Sequence, residues 1–543
     1  MNYSSDKIGR DTDPRYGRSY IARNSAVATP SNLATIAANQ ILNKGGSAVD
    51  AMVAANSVLS VVFPHMTGAG GDAFWLIYDA KTGKRHSLNA SGRSGSKVSK
   101  DCYSKEHGID VRGPKSANTV PGAVSGWTEA HRKLGKLPLS ECLQPAIDYA
   151  RNGFPVGDSL AKFSEIAIDL LRTYPTTAET FLKNGVAPYM TGDIMRNPKF
   201  ANTLESIAQG GSDAFYKGEI ASEICSFLQD QGGFLTTEDF ANHQADWGSP
   251  LEIDYREWKV IAPPPNSAGF VTLQILGMME HMDIKNMAGD DSDLIDAFTR
   301  ATEFSFIDRD NYLDDPAFNE IPMDTLLSKD YLHDRVKKLH DSTLGPPEKG
   351  FAKKGDTTFS CAVDAEGNSV GVIQSLYWEW GSGLVAGGTG MLLQNRGTHF
   401  SLDPTSRDRL EPNKRPAHTL TCSMVMKDDK PEMVVGAMGG DGEPQTQAII
   451  IMRVLDQGYS VQEAIDAPRW LLGRTWGDQI RGLRLEGRYD ESIAKRLQEL
   501  GHENVEIIEN FSDLMGHAQA IRIWPDRLEA GADPRADGLA IGN

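Results

Sequence analysis

The strongest constraint on this chain of 543 residues is a change of character past its middle. Over residues 125–340 the apolar positions fall mostly at helical spacing, interrupted by Pro263-Pro264-Pro265 before a further helix at 271–279. Residues 341–355 then read as a loop, with Gly345-Pro346-Pro347 and a Lys- and Gly-containing stretch. Immediately afterwards the pattern becomes strand. Residues 358–364 and 369–375 flank Ala365-Glu366-Gly367-Asn368, a hairpin signal. A linker therefore delivers Gly355-Asp356-Thr357-Thr358 directly to the start of a strand. Two readings follow. The threonines are there for β-propensity, or Thr357 is a nucleophile exposed by a cut after Asp356. Such a cut gives Thr357 a free α-amine of pKa about 7.7–8.0, able to act as base for its own hydroxyl. Branching at Cβ restricts the rotamer of that hydroxyl.

Elsewhere, Thr29-Pro30 opens a helix that Gly45-Gly46 ends, and a second begins near Ser47. Residues 73–79 and 85–90 read as paired strands around Lys81-Thr82-Gly83-Lys84. Residues 433–437 read as a buried strand running into Gly439-Gly440-Asp441-Gly442 and a helix entered at Pro444. That loop has neither dinucleotide-binding nor P-loop spacing, and Asp441 and Glu443 would repel phosphate. It is either a tight turn or a set of backbone N–H groups suited to an oxyanion.

Other chemistries find little support. There is no HExxH. His333 and His340 are seven apart but no carboxylate completes a metal site, so neither metal nor cofactor is expected. Pro265-Asn266-Ser267-Ala268-Gly269 lacks the first glycine of a serine elbow and reads as a turn. The five cysteines form no close pair, which argues against a disulfide framework and for a reducing compartment. The net charge of −18 disfavours nucleic acid and anionic membranes as partners, though not a local pocket for a small anion. Residues 1–24 lack the apolar core of a signal peptide, and residues 48–63 are too short and polar to span a membrane, so a cytoplasmic location is expected.

Taken together, the ordered motifs resemble the γ-glutamyltransferase family of N-terminal-nucleophile hydrolases. Thr357-Thr358-Phe359-Ser360, Gly381-Ser382-Gly383, Asn395, Phe400-Ser401, Asn413-Lys414-Arg415-Pro416, Gly439-Gly440 and Asp533-Pro534-Arg535 carry the likeness, with Gly68-Ala69-Gly70-Gly71 and Val120-Pro121-Gly122 upstream. The resemblance implies an α+β fold, a four-layer αββα sandwich, made as a precursor that cleaves itself between Asp356 and Thr357. The products are residues 1–356 and 357–543, held together as a heterodimer and open to further homo-oligomerisation. It implies Thr357 as nucleophile, Ser375 as its supporting hydroxyl and Gly439 and Gly440 as the oxyanion hole.

The departures from the family lie in the acyl pocket. The usual acidic pair before Phe400 is Thr398-His399 here. The usual serines after the Arg-Pro match are His418 and Thr419, and an expected asparagine is Tyr377. Strict alignment places Ser91 at the carboxylate-binding arginine, with Arg93 two residues on. The loop from Ser401 to Asn413 is short for the family's lid. The expected substrate is a small amide with an acidic acyl part and no α-amine. Such a substrate resembles that of the oxamate amidohydrolase and acylase branch, with Arg93 on the carboxylate and Tyr377, His399, His418 and Thr419 around it. A γ-glutamyltransferase or glutathione hydrolase is the alternative.

Overall fold

The computed structural model describes residues 17–104, 106–284, 292–338, 356–473 and 482–543. The linker expected at 341–355, and His340, lie outside these residues. The hairpin forms as read: Asp356–Val363 pairs antiparallel with Ser369–Tyr377. These strands are the centre of a seven-stranded sheet in the order Leu539–Gly542, Ala26–Thr29, Asp356–Val363, Ser369–Tyr377, Asp72–Asp79, Lys84–Ala90 and Asp246–Gly248. A second seven-stranded sheet runs Tyr20–Ala22, Leu528–Ala532, Ala518–Ile523, Lys430–Ala437, Cys422–Lys427, Trp258–Ala262 and Leu251–Tyr255.

Strand periodicity explains how the sheets stack. Phe359, Cys361 and Ile373 from the first sheet meet Cys422, Met424, Val434 and Ile521 from the second in a core between them. The alternate residues Ala362, Val370 and Val372 face outward, against Asn32–Asn43, Ala48–Val62 and Ala123–Leu134. Every residue of Ala48–Val62 is buried, and Ser47 starts it with a capping box completed by Asp50. Behind the second sheet lie Gly269–Met279, Ser292–Tyr312 and Gly442–Leu455, packed on Val260, Val425 and Val435. The layers are helix, sheet, sheet, helix, the αββα sandwich expected.

One part of the helical reading of 125–340 is corrected. Three strands, Asp246–Gly248, Leu251–Tyr255 and Trp258–Ala262, lie within it. They are only three to five residues long and two are sheet edges; Leu251-Glu252-Ile253-Asp254-Tyr255 does alternate apolar and charged residues, a strand signal that the helical reading of the longer stretch passed over. Both sheets interleave segments from before and after residue 357, as where Ala26–Thr29 lies between Asp356–Val363 and Leu539–Gly542. All five cysteines are free thiols. Among the described residues no helix is long and apolar enough to cross a membrane.

Candidate active site

Thr357 stands at an irregularity: the register with the neighbouring strand shifts between Asp356 and Thr358, and a bulge of this kind re-aims a side chain. Its hydroxyl turns inward, 2% exposed, and donates to Oε1 of Glu443 at 3.1 Å. Glu443 lies in the first turn of Gly442–Leu455, just past Gly439 and Gly440. Those glycines have φ of 138° and 55°, backbone that a side chain would strain. The loop thus brings the Gly440 N–H onto the same carboxyl group, while the Thr421 N–H donates to Oε2 at 3.1 Å. Burial pushes the Glu443 carboxyl up to about 8, and the donors and the field of Arg396 only partly oppose this.

Ser375 lies opposite Asp72 in the sheet, and its Oγ accepts the Tyr377 N–H at 2.7 Å. Tyr377 has φ of 83°, a conformation costing a bulky residue roughly 1–3 kcal/mol and characteristic of functional sites. It carries the Tyr377 ring beneath the Arg396 guanidinium, 4.2 Å from its centroid. The Tyr377 hydroxyl is 3.4 Å from Nδ1 of His399, whose Nε2 is 3.2 Å from Asp408.

Arg396 is the centre of this group. Its Nε donates to Nδ1 of His418 at 3.0 Å, and Nε2 of His418 is 3.4 Å from Asp72. Burial, with Arg396 and Arg415 nearby, holds His418 well below the usual imidazole range and therefore neutral. Burial raises the Asp72 carboxyl to about 6, although the Gly92 and Gly122 N–H groups donate to it. The two terminal nitrogens of Arg396, Nη1 and Nη2, are buried and have no hydrogen-bond partner among the described residues. Leaving a guanidinium's donors buried and unmatched is costly.

The arginine expected to hold the substrate is placed differently. Arg93 Nη1 bonds Asp315 at 3.0 Å and the Asn413 carbonyl at 3.3 Å, and Nη2 is 3.8 Å from Asp246. Arg415 binds the same two carboxylates, donating from its backbone N–H to Asp315 and from its side chain to Asp246. Beside them Lys414 and Asp314 form a fully buried ion pair at 2.9 Å. The Asn413-Lys414-Arg415-Pro416 match is thus a clamp joining loops. Thr419 is half-buried, one residue past His418.

The structure brings Thr357, Ser375, Gly440, Tyr377, His399 and His418 into one network. Sequence reading missed Arg396, Glu443, Asp72 and Asp408. Arg396 stands within the quoted family match next to Asn395, and Glu443 was weighed only as an obstacle to phosphate. Among the described residues one group has metal-ligand proximity, Asp50, His131 and Cys142. Most of its atoms are otherwise employed: Asp50 Oδ2 accepts the N–H groups of Ser47, Lys136 and Leu137, and His131 Nε2 bonds the Leu137 carbonyl, which leaves Asp50 Oδ1 buried without a hydrogen-bond partner among the described residues. Burial also keeps the Cys142 thiol protonated. These residues tie helix ends together.

Comparison with known proteins agrees with this geometry. The family model described as gamma-glutamyltranspeptidase matches residues 34–543. The glutathione hydrolase-like YwrD proenzyme of Bacillus subtilis is 43% identical over 526 residues, 97% of this chain and 99% of that protein. The oxamate amidohydrolase proenzyme of Klebsiella pneumoniae is 40% identical over 530 residues, 96% of this chain and 99% of its own length. The crystal structure of cephalosporin acylase from Bacillus halodurans superposes with a TM-score of 0.88 at 33% identity, covering 100% of this chain and 99% of that one. The chain is therefore an enzyme of the gamma-glutamyltranspeptidase family, built on the fold of the N-terminal-nucleophile hydrolases.

Proposed function

We propose that the chain cleaves itself between Asp356 and Thr357 and that the product is an amidohydrolase for a small amide with an acidic acyl part, oxamate-like in chemistry. Residues 1–356 and 357–543 then remain together, since both sheets are built from strands of both segments. In the mature enzyme the Thr357 α-amine takes the hydroxyl proton as Oγ1 attacks the substrate carbonyl. The N–H groups of Gly439 and Gly440 serve the oxyanion, that of Gly440 turning to it from the Glu443 carboxyl. The C–N bond breaks, the leaving amine takes the proton, and water hydrolyses the resulting ester. None of these steps calls on a cofactor.

The observation that carries the acidic substrate is Arg396, with Nη1 and Nη2 unmatched in a buried position within the electrostatic reach of Glu443. A carboxylate accepting from both nitrogens completes the fork. Arg93, engaged by Asp315, is left a supporting role in shaping the loop. The kinship with the Klebsiella oxamate amidohydrolase supports the same substrate class. Asp408 favours a second reading. It is a carboxylate within the field of Arg396, and beside His399 it offers a partner for an α-ammonium group, as a γ-glutamyl substrate requires.

Intact-mass measurement of the purified protein, followed by assay on oxamate and on a γ-glutamyl anilide, tests both readings. Two fragments meeting at Thr357, with oxamate hydrolysed and the anilide poorly turned over, is the expected result. Strong anilide turnover without oxamate hydrolysis selects the second reading.

A further inference from the structure

We propose that Glu443 is the proton acceptor for the self-cleavage that creates the Thr357 amine. The inference rests on the reading that the chain cuts itself before Thr357. It concerns a step that the mature mechanism leaves without a base. In the uncut chain the nitrogen of Thr357 is part of a peptide bond, and an amide nitrogen takes no proton from a hydroxyl. The group that activates Oγ1 after the cut is therefore missing during the cut. The side chain that Oγ1 already addresses is Glu443, at 3.1 Å.

The step balances with that one group. The Glu443 carboxylate takes the proton from Oγ1 as Oγ1 attacks the carbonyl carbon of residue 356. The tetrahedral intermediate collapses by breaking the C–N bond, and the nitrogen receives the proton back from the carboxyl group. An ester now joins residue 356 to Oγ1. Water attacks it, Glu443 takes a proton from the water, and the departing Oγ1 recovers it. One water is consumed. Residue 356 ends as a carboxylic acid, which ionises by passing its proton to the new α-amine or to water, and Thr357 gains that amine.

The surroundings of Glu443 fit this work. The Thr421 N–H fixes Oε2 and leaves Oε1 to Thr357. From the other elements packed on it come the Gly440 N–H, the Arg396 cation and the thiol of Cys422. Burial keeps the thiol protonated and hence uncharged. Arg396 is then the charge that favours ionisation of Glu443, and it acts through its field. With the carboxyl raised to about 8, roughly one copy in ten is ionised at pH 7, and each is a stronger base than an ordinary carboxylate.

Pulse–chase of the full chain made by cell-free translation tests this directly, with fragment formation followed by gel and intact mass between about pH 6 and 9. In the wild type the cleavage rate is expected to rise with pH and level off above about pH 8. Glu443→Gln is expected to slow cleavage by about 100-fold or more and to flatten the profile, and Glu443→Asp to restore part of both. A Glu443→Gln chain that cleaves within roughly threefold of wild type, with the same pH profile, overturns the inference. Circular dichroism of Thr357→Ala with and without Glu443→Gln checks the fold of the variant. If that variant does not fold, the wild-type profile decides, and a rate flat across the range overturns the proposal. A wild-type chain never cut at Thr357 refutes the self-cleavage reading itself.

Discussion

Arg93, partly exposed in a loop, and Arg396, buried at the start of a 3-10 turn, are furnished in opposite ways. Arg93 shares Asp315 and Asp246 with Arg415, beside the closed pair of Lys414 and Asp314. Every charge there meets an opposite charge within the fold. Arg396 has a neutral imidazole, an aromatic ring and two idle nitrogens. Fields from Asp72, Glu443 and Asp408 reach it without contact. A cluster with all its charges matched has nothing to offer a ligand and holds loops in place. A cation left short of partners is destabilising until something anionic arrives. On the proposed reading, the contrast separates the arginine that builds the pocket from the arginine that uses it.

The largest effect sets the baseline. Thr357→Ala should leave one uncut chain by mass and reduce turnover by about 10⁴-fold or more. The contrast itself is broken next, at Arg396. Arg396→Met should lower kcat/KM on oxamate by about 10²-fold, affect a neutral amide far less, and leave the melting temperature unchanged or raised. A melting temperature that falls steeply would make Arg396 structural and erase the distinction. On the matched side, Asp314→Ala leaves Lys414 buried and unpaired. Chemical denaturation should then show a loss of about 3–5 kcal/mol.

Glu443 sharpens the comparison through pH. Its carboxyl is raised from the ordinary 4.5 to about 8 in the folded chain. Between those values the folded state keeps a proton that the unfolded state releases. The contribution of Glu443 to stability must therefore fall as pH rises through this window, by up to about 1.4 kcal/mol per pH unit. Because other buried carboxyls such as Asp72 are raised too, the readout is a difference: melting should show a steeper loss of stability with pH in the uncut Thr357→Ala chain than in Thr357→Ala with Glu443→Gln. The smallest effect is expected at Arg93. As a half-exposed member of a shared ion pair, its change to Ala should cost about 1 kcal/mol and shift KM by less than roughly tenfold.

What the sequence disclosed follows the range of the interactions involved. The hairpin around Ala365-Glu366-Gly367-Asn368 and the helix begun by Ser47 are local patterns, and both form where they were read. Thr357 stood out as a candidate nucleophile because a loop and a strand meet there, and it was the family resemblance that preferred this reading to plain β-propensity. Glu443 did not stand out, because its contact is with a hydroxyl 86 residues away. Arg396 and Arg93 look alike in sequence. Which one is matched depends on Asp315 and Asp246, brought up from separate segments. The strands of 246–262 are only three to five residues each, too short for the alternation of Leu251–Tyr255 to stand out within a long helical stretch.

The strand that leads to Glu443, Lys430–Ala437, takes one neighbour from Ala518–Ile523, which pairs in turn with Leu528–Ala532. Thr357 and its partner therefore have no settled meeting place until synthesis has passed those residues. A growing chain carries the blade long before the hand that closes on it. On the proposed reading, self-cleavage becomes a completion signal: a truncated copy is expected to stay whole and unarmed, and the severed backbone would mark a polypeptide that was finished and folded.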